Sequence, residues 1–500
     1  MPGQGPCTSK FSATEVLVYA VDIGTTNIKA VLYDAHLTRL AVAHAPAIYQ
    51  RHGVEVEFDP EALFRTVVGL IGDCATGLPD AESHDAIIAI SGQAESLVLV
   101  DGGGSPVRPG MSWLDNRAEG QAGQIAAHFD PVEAFAVTGE PESTATWPAA
   151  KLRWLSQLEP RSLERARGVL MVKDDLVLRL TGRSVGEATT RGFSYFYDVR
   201  RQRYWPEMLD FCGVEAALLP EIVPPGTDVG EVRPSVLEDL PPARSYRVNV
   251  AALDHFCAMV GTGSYSAGVV SESSGTVLSL SMLAEHWEFD HTRKVSFHNG
   301  LLEGDTVLFS GADSGGVVLD WYRREALGDL PYQELESALS GRAREAAPIF
   351  LPYLTGVNPP DFLSGARGAF VGLELQHDRF DLAYAVEEGI AHLLKRNIEY
   401  LSPHDTLRSI TSTGGGATSP HWSQLKADVC DLEVVVPDEQ EATCRGAATL
   451  ALVAAGELGS VTDATHLSGP AATTYRPVTD ERRADRYRRF EDTLIRLYGA

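Results

Sequence analysis

The stretch VLVYAVDIGTTNIKAVLYD, residues 16–34, decides the fold class. Residues 16–23 form an almost unbroken apolar run, which is typical of a strand buried on both faces. Gly24-Thr25-Thr26 interrupts the run, and residues 27–34 have the pattern of a second strand. Because the break is so short, we expect the two strands to pair as a hairpin.

Further strand and helix patterns alternate along the chain. Residues 86–91 and 96–100 are strand candidates, and helical patterns follow at residues 115–128, 148–158 and 172–180. Alternation of this kind indicates an α/β fold.

The second half of the chain repeats this organisation in outline. Residues 223–247 are rich in proline, which indicates a linker or a loop-rich crossover. Ser274-Gly275-Thr276 then lies in another strand-like run, about half a chain length after Gly24. The halves share no detailed identity, and the spacing suggests a structural duplication.

The charge balance limits the partners of this chain. Its 500 residues include 42 Lys and Arg against 68 Asp and Glu, a formal net charge of −26. A surface this acidic repels nucleic acid and anionic lipid, so we expect neither as a partner. No apolar run reaches the roughly 18–20 residues that span a bilayer. An anion such as ATP can bind only where backbone amides, dipoles or a metal reverse the local field.

The six cysteines are scattered without CxxC spacing. This argues against a disulfide scaffold and against a zinc site, and it suits a reducing cytosol. The first residues show no signal-peptide pattern, so we expect a cytoplasmic protein with a flexible tail at residues 1–15.

The turn Asp22-Ile23-Gly24-Thr25-Thr26 is the first motif that could carry chemistry. It lacks the Gly-Lys-Ser/Thr of a Walker A loop, and a strand follows it where a dinucleotide fingerprint needs a helix. Its amides and threonine hydroxyls can face a phosphate, and Asp22 stands where Mg²⁺ with several waters can be held. A simple glycine turn with a local aspartate hydrogen bond is the alternative.

Gly414-Gly415-Gly416-Ala417 is the second motif. Three consecutive glycines after residues 407–412 let a backbone pass close to a flat ligand or a phosphate. A helix starting near Ser419 would point its amide end at the same place. A flexible surface loop is the competing explanation.

Asp254 carries the third motif, because it stands at the predicted start of a helix. Its structural role would be that of a helix N-cap. Its functional role would be to accept the proton of an attacking substrate hydroxyl. The residue pattern by itself leaves both roles open.

Together these motifs resemble the FGGY family of carbohydrate kinases. The segments WLDNR at residues 113–117, KLRWL at 151–155 and LTG at 180–182 fit the same family, and the resemblance spans roughly residues 16–456. It implies an α/β fold of two actin-like (ribonuclease H-like) domains with a catalytic cleft between them. We expect a sugar- and phosphate-side domain at residues 16–250 and a nucleotide-side domain at 251–479.

The last segment, residues 480–500, is predicted to be an amphipathic helix. Its apolar residues recur at helical spacing and would pack on the body of the protein; they are Tyr487, Phe490, Leu494 and Leu497.

The resemblance also implies roles for individual residues. Asp22 would help to hold Mg²⁺, and Asp254 would be the catalytic base. ATP would be contacted by Gly24, Thr25, Thr26, Lys29, Gly275, Thr276, Gly315, Gly414, Gly415, Gly416 and Ala417. The sugar would be contacted by Gln93, Ala94, Glu95, Trp113, Asp254 and His255. A polar helix residue is the alternative for His255, and a core aromatic is the alternative for Trp113.

The activity implied is that of a phosphotransferase with an alcohol group as acceptor. The resemblance points to an ATP-dependent kinase of a small neutral sugar or polyol, such as xylulose, ribulose, erythritol or glycerol. The segment Gly92–Ser96 lacks the His or Arg found there in better-known branches, which leaves the sugar open. The alternative is an actin-like ATPase switch or a sugar-sensing regulator without sugar phosphorylation. A homodimer is one expectation for the assembly.

Overall fold

The structure is a computed structural model. It describes residues 16–275, 277–312, 314–340, 346–354, 363, 365–402, 406–463, 471–478 and 480–499. The predicted tail at residues 1–15 and the predicted phosphate contact Thr276 lie outside these ranges.

Strands and helices alternate along the described chain. The strands are β1 (Val16–Ile23), β2 (Asn27–Tyr33), β3 (Arg39–Pro46), β4 (Gln50–His52), β5 (Glu55–Phe58), β6 (Asp85–Gly92), β7 (Leu97–Val100), β8 (Gly110–Met111), β9 (Gly168–Met171), β10 (Val185–Glu187), β11 (Tyr197–Asp198), β12 (Arg203–Tyr204), β13 (Glu221–Val223), β14 (Thr227–Glu231), β15 (Ser245–Leu253), β16 (Val269–Ser274), β17 (Leu278–Leu283), β18 (Ser296–Asn299), β19 (Thr306–Ala312), β20 (Ile349–Leu351), β21 (Ala369–Val371), β22 (Ser409–Thr413), β23 (Glu433–Pro437) and β24 (Ala472–Tyr475). The helices are α1 (Pro60–Ala75), α2 (Glu119–His128), α3 (Pro131–Thr138), α4 (Pro148–Leu158), α5 (Pro160–Arg165), α6 (Val172–Thr181), α7 (Ala188–Arg191), α8 (Pro206–Cys212), α9 (Pro234–Leu237), α10 (Asp254–Gly261), α11 (Gly316–Leu327), α12 (Tyr332–Leu339), α13 (Arg379–Leu401), α14 (Pro420–Cys430), α15 (Ala442–Ala455) and α16 (Glu481–Tyr498).

The predicted hairpin of β1 and β2 is confirmed. The two strands pair antiparallel, with Asp22 opposite Lys29. β1 also pairs in parallel with β6, so it is a central strand with a neighbour on each side. Its residues from Leu17 to Val21 are buried, which explains the unbroken apolar run.

Two central sheets share one topology over six strands, and the second has β18 as an additional edge strand. The first has the strand order β14-β15-β6-β1-β2-β3, and the second has β18-β19-β17-β16-β22-β23-β24. In each, an antiparallel trio (β3-β2-β1 or β19-β17-β16) adjoins two parallel strands (β6-β15 or β22-β23) and then an antiparallel one (β14 or β24). The topology therefore repeats, which supports the structural duplication suggested by the spacing of Gly24 and Gly275.

The chain divides into two compact units. The described residues of unit 1 fall within 16–133, 142–261 and 441–463, and those of unit 2 within 134–141, 262–440 and 471–499. Unit 1 holds the first central sheet, and it also contains α10 and α15. Unit 2 holds the second central sheet.

Helices α10 and α15 cross at very short range inside unit 1. A Cβ atom on Gly261 would lie 1.9 Å from the carbonyl oxygen of Ala442, and one on Gly446 would lie 1.8 Å from that of Cys257. Only glycine fits at these two positions. The close crossing brings the start of α15 beside α10, which begins at Asp254, and beside β1, which carries Asp22 near its end.

Two of the three helix predictions differ from the structure at one end: α6 ends at Thr181, one residue later than predicted, and α2 begins later than predicted. α4 has the predicted bounds, whereas α2 begins at Glu119 and not at Asp115. The Asp115 carboxylate accepts the N–H of Val56 at 2.7 Å and pairs with Arg117 at 2.7 Å, which fixes a turn ahead of the helix.

The predicted C-terminal helix is confirmed as α16, with Tyr487, Phe490 and Leu494 buried. Leu497 was predicted to pack on the body of the protein but is 51% exposed. In the last turn of α16 it is Tyr498 that packs on the apolar cluster around Leu351 and Leu494. Among the described helices, none is both long and apolar enough to cross a membrane.

Candidate functional site

Three parallel strands of unit 1 end at one edge of the sheet. β1 pairs in parallel with β6, and β6 with β15, so that Gly92 adjoins the last residues of both neighbours. The backbone N–H of Gln93 donates to the carbonyl oxygen of Ile23, with N to O 3.1 Å. In α/β sheets, ligands bind beyond the carboxyl ends of the strands. Asp22, Gln93 and Asp254 are thus brought to one such edge.

The Asp22 carboxyl has a raised pKa. Burial is the main cause of a value of about 7, and the negative charge of Asp254 adds to it, while Lys29 opposes it. The Oδ1 atom of Asp22 is buried and has no hydrogen-bond partner among the residues that the structure describes. A buried carboxylate oxygen without a donor is a suitable ligand for a hard cation.

Lys29 is held by an ion pair. Its Nζ lies 2.7 Å from Glu441 Oε2, and Glu441 directly precedes α15. Lys29 also stands opposite Asp22 across the hairpin. Its positive charge is therefore shared by two carboxylates. The sequence analysis missed Glu441, which lies 412 residues away along the chain and near no recognised motif.

Asp254 is the first residue of α10, as predicted, and a buried network supports the strand end before it. The N–H of Leu253 donates to Thr189 Oγ1 at 2.9 Å, and this hydroxyl donates to Glu187 Oε2 at 2.7 Å. Glu187 also pairs with Lys173 at 2.6 Å, and both side chains are fully buried. Buried networks in which each member is satisfied fix geometry. The network thus fixes the backbone at the end of β15, directly before Asp254.

His255 follows Asp254 directly, and both residues are partly exposed. The backbone N–H of His255 donates to Asp254 Oδ1 at 2.7 Å. This bond holds Oδ1 against the start of the helix, so the second oxygen, Oδ2, points away from that N–H group. The structure thus places the predicted base and the predicted hydroxyl partner side by side.

Hydrogen bonds connect the predicted sugar-binding segments to the hairpin turn. The amide of Gln93 donates to the Tyr49 hydroxyl at 3.3 Å. Ser96 Oγ donates to Gln93 Oε1 at 3.3 Å and accepts the N–H of Trp113 at 3.0 Å. The Trp113 indole N–H in turn donates to Thr25 Oγ1 at 2.9 Å. The structure therefore brings Gln93, Trp113 and Thr25 together, and sequence reasoning missed Tyr49 and Ser96.

The remaining predicted residues of unit 1 differ in exposure. Ala94 is buried, and Glu95 is partly exposed with a left-handed backbone, φ 65°. Gly24 is partly exposed in the hairpin turn, and Thr26 is exposed beside it. Donors and acceptors thus surround a surface that can bind a molecule with several hydroxyl groups.

Unit 2 contains a cavity of about 880 Å³. The predicted residues Gly275, Gly415 and Gly416 line it. The rest of the wall is supplied by Ser274 and by four helices (α11, α12, α13 and α14) or their starts: Gly316, Val317, Leu319, Asp320, Tyr332, Gln333, Leu335, Glu336, Ser337, Glu387, Thr418, Ser419, Pro420 and Trp422. This volume lies within the range of ligand-binding pockets.

Glycine turns form the floor of this cavity. The N–H of Gly316 donates to the carbonyl oxygen of Gly275 at 2.8 Å, directly after the predicted Gly315. Gly414 has φ 81°, and a Cβ atom there would lie 2.9 Å from the carbonyl oxygen of Ser274. Ala417 is buried in the short turn that follows. The described members of the predicted set from unit 2 are therefore brought together.

A buried ion pair lies beneath the Ser274-Gly275 turn. Lys426 Nζ is 2.9 Å from Glu272 Oε1 and donates to Ser274 Oγ at 2.6 Å. Lys426 and Glu272 are almost completely buried. Sequence reasoning missed the pair, although Glu272 alternates with Val270 on the buried face of β16 and so gave a signal.

The start of α14 is stabilised by α12. The predicted start of a helix near Ser419 is confirmed, because Ser419 is the N-cap of α14. The Oγ atom of Ser419 also contacts Glu336. Glu336 Oε1 also accepts the N–H of His421 at 2.7 Å. Sequence reasoning missed α12 as a wall of the cavity, because it carries no glycine turn or charged motif.

Substitution of the glycine turn gives a first prediction. Gly414→Ala is expected to raise the Kd of ATP about tenfold, because an alanine at positive φ costs about 1–2 kcal/mol and its Cβ meets the Ser274 carbonyl. Gly365→Ala is the control, since Gly365 is exposed, does not line the cavity, and a Cβ there meets no atom within 4 Å. Titration with a fluorescent ATP analogue measures both. Equal affinities in the two variants would contradict the proposed role of the turn.

The chain matches two protein-family models. The N-terminal domain of the FGGY family of carbohydrate kinases matches residues 17–261, and the C-terminal domain of the same family matches residues 269–455.

The chain is also similar to individual sugar kinases. It is 25% identical to a gluconokinase of Bacillus subtilis over 95% of this chain and 94% of that protein. It is 25% identical to a xylulose kinase of Lactococcus lactis over 89% of each chain. The crystal structure of a xyloylose kinase from Brucella ovis superposes with a TM-score of 0.89 at 26% identity, covering 97% of this chain and 99% of that one. This protein belongs to the FGGY family of carbohydrate kinases, two-domain α/β phosphotransferases that use an alcohol group as acceptor.

Proposed function

We propose that the protein transfers the γ-phosphoryl group of Mg²⁺-ATP to a hydroxyl of a small neutral sugar or polyol, with Asp254 as general base. The observation that carries the proposal is that Asp22 and Asp254 lie at one sheet edge, close enough for the negative charge of Asp254 to raise the pKa of Asp22. Two carboxylates so placed can divide the work, one holding a metal and one accepting a proton.

The residues at this edge fit a magnesium ion. Mg²⁺ is usually held by one or two carboxylates together with waters and substrate phosphates. Asp22 offers a buried oxygen without a donor, and the described residues contain no cluster of three or more His, Cys, Asp or Glu that could form a closed metal cage. When bound, Mg²⁺ would neutralise charge on the phosphates. Gly24, Thr25 and Thr26 would contact the same phosphates.

The chemical step proposed for Asp254 is a proton transfer. The acceptor hydroxyl loses its proton to the Asp254 carboxylate as its oxygen bonds to the γ-phosphorus. The bond from that phosphorus to the β–γ bridging oxygen breaks, and ADP leaves. A carboxylate can serve as the base because a loose transition state requires proton removal only late.

The charges of unit 1 support a neutral acceptor. The cations near the site are already engaged: Lys29 with Glu441, Lys173 with Glu187, and Arg117 with Asp115. A sugar carboxylate would have to compete for one of them. In contrast, Gln93 and Tyr49 offer the neutral donors and acceptors that hydroxyl groups use.

The proposed nucleotide site is the cavity of unit 2. Gly415 and Gly416 line its wall and can present their backbone amides to a phosphate, and α14 begins at the same wall, so that the helix dipole favours a negative charge there. Amides and helix ends can hold phosphate charge despite a net charge of −26.

A coupled assay of ADP release across ketoses, aldoses, polyols and gluconate tests the proposal. At least one neutral acceptor is expected to stimulate ATP turnover strongly over the rate without acceptor. Gluconate belongs in the panel because the chain is similar to gluconokinases. Selective stimulation by gluconate would contradict the neutral acceptor, and sugar-independent turnover would favour the ATPase switch.

A further inference from the structure

Lys151 is a fully buried lysine in α4 that the proposed chemistry does not use. Its Nζ donates to the carbonyl oxygen of Ser112 at 2.8 Å and to that of Glu95 at 3.2 Å. The first acceptor directly precedes Trp113, and the second ends the Gln93–Glu95 segment. One ammonium group therefore connects the backbones of both segments that carry the proposed sugar contacts.

We propose that Lys151 is a positioning residue for the acceptor site, which fixes the 93–95 and 112–113 segments in the arrangement that binds sugar. The inference rests on the proposed function, since it needs Gln93, Glu95 and Trp113 to contact the acceptor.

The backbone of Glu95 shows why such a device is needed. Glu95 has φ 65°, a left-handed conformation that costs a non-glycine residue energy. The charge-assisted bond from Lys151 to its carbonyl oxygen opposes that cost. Without it, the segment would relax and the Glu95 side chain would turn from its present direction.

Ser96 makes a second link between the same segments. Its hydroxyl accepts the N–H of Trp113 and donates to Gln93 Oε1. Lys151 joins the backbones of Glu95 and Ser112, whereas Ser96 joins the backbone of Trp113 to the side chain of Gln93. Two independent links join these segments, whose residues Ser96 and Trp113 are 17 positions apart, which indicates that their relative position matters to what they bind.

The environment of Lys151 adds a pH dependence. Burial lowers its pKa to about 8, while Glu95 and Asp115 favour the charged form and Arg117 opposes it. The ammonium therefore loses its proton at moderately alkaline pH. The neutral amine still donates, but its bonds to the two carbonyl oxygens lose the assistance of the charge.

Lys151→Met in the full-length protein tests the inference, because methionine keeps the length of the side chain and removes the donors. The KM of the best acceptor found in the panel is expected to rise at least about tenfold, since an error of about 1 Å in position is costly. The KM of ATP and kcat are expected to change less than about threefold. The variant should lose binding of the acceptor equally in the ground state and in the transition state, and such a loss raises KM without lowering kcat. An unchanged acceptor KM would overturn the proposal.

Leu155→Ala is the matched control. Leu155 is also fully buried in α4, but its side chain donates no hydrogen bond to either segment. If it raised the acceptor KM as much as Lys151→Met, general loosening of the helix would explain both results, and the positioning role would be wrong.

The pH profile of the wild-type protein tests the same inference should Lys151→Met fail to fold. Between pH 7 and pH 9.5 the acceptor KM is expected to rise by about fivefold, with the KM of ATP steady. A flat acceptor KM would overturn the proposal. A wild-type protein that no acceptor stimulates would instead overturn the proposed function, so the two failures are distinguishable.

Discussion

Asp254→Asn is expected to lower kcat by about 10²–10⁴-fold and to leave the Kd of ATP within about twofold. Asparagine has the shape of aspartate but cannot accept the proton of the acceptor hydroxyl. It can still accept the N–H of His255, so the start of α10 is expected to keep its geometry. ATP is proposed to bind in unit 2, which does not contain this residue. Steady-state rates and ATP titration of one protein sample measure both quantities.

Asp59→Asn is the matched control for this change. Asp59 caps α1 in the same unit, and asparagine caps helices as well as aspartate does. Its kcat is expected to stay at the wild-type value. If Asp254→Asn retained full activity, or lost ATP binding and activity together, Asp254 would not be the general base.

Asp22→Asn is expected to abolish Mg²⁺-dependent turnover and at the same time to stabilise the fold at pH 8. The folded protein holds the pKa of Asp22 at about 7, above the roughly 3.9 of an unfolded chain. The folded state therefore binds more protons between these values, and stability falls as the pH rises from about 4 to 7. Above pH 7 the wild-type protein bears the full cost of an ionised Asp22, which the amide does not.

The gain in stability should be about 1–2 kcal/mol at pH 8, allowing for the partial exposure of the residue. It should be clearly smaller at pH 5, because Asp22 is then still protonated in the folded state and only the interval from about pH 4 to pH 5 contributes to the loss of stability. Urea unfolding of both proteins at pH 5 and pH 8, without Mg²⁺, measures the difference. A gain of the same size at both values would show that ionisation of Asp22 is not the cause.

Local sequence patterns predicted much of the fold. The hairpin at residues 16–34 is confirmed because its apolar run and its short turn are both local signals. α4 has its predicted bounds, because a proline starts it and apolar spacing continues through it. α2 was predicted to begin too early, since the Asp115–Arg117 pair depends on a contact with Val56 that no local pattern shows.

The candidate site was predictable only in part. The glycine turns and Asp254 stand out because few residue types serve in such positions. Glu441, Lys151 and Lys426 were missed because each acts on a partner remote in sequence. Burial of a lysine is decided by the fold, and nothing in its immediate neighbours reveals it. The roles of the site residues stay predictions until the variants are measured.

The most direct test of the central claim is to identify the product of the reaction. The protein is incubated with Mg²⁺-ATP and the best neutral acceptor, and the acceptor is analysed by mass spectrometry. We expect the acceptor to gain one phosphoryl group in amounts equal to the ADP formed, and to gain none with Asp254→Asn. Formation of ADP and free phosphate with an unmodified acceptor would contradict the account.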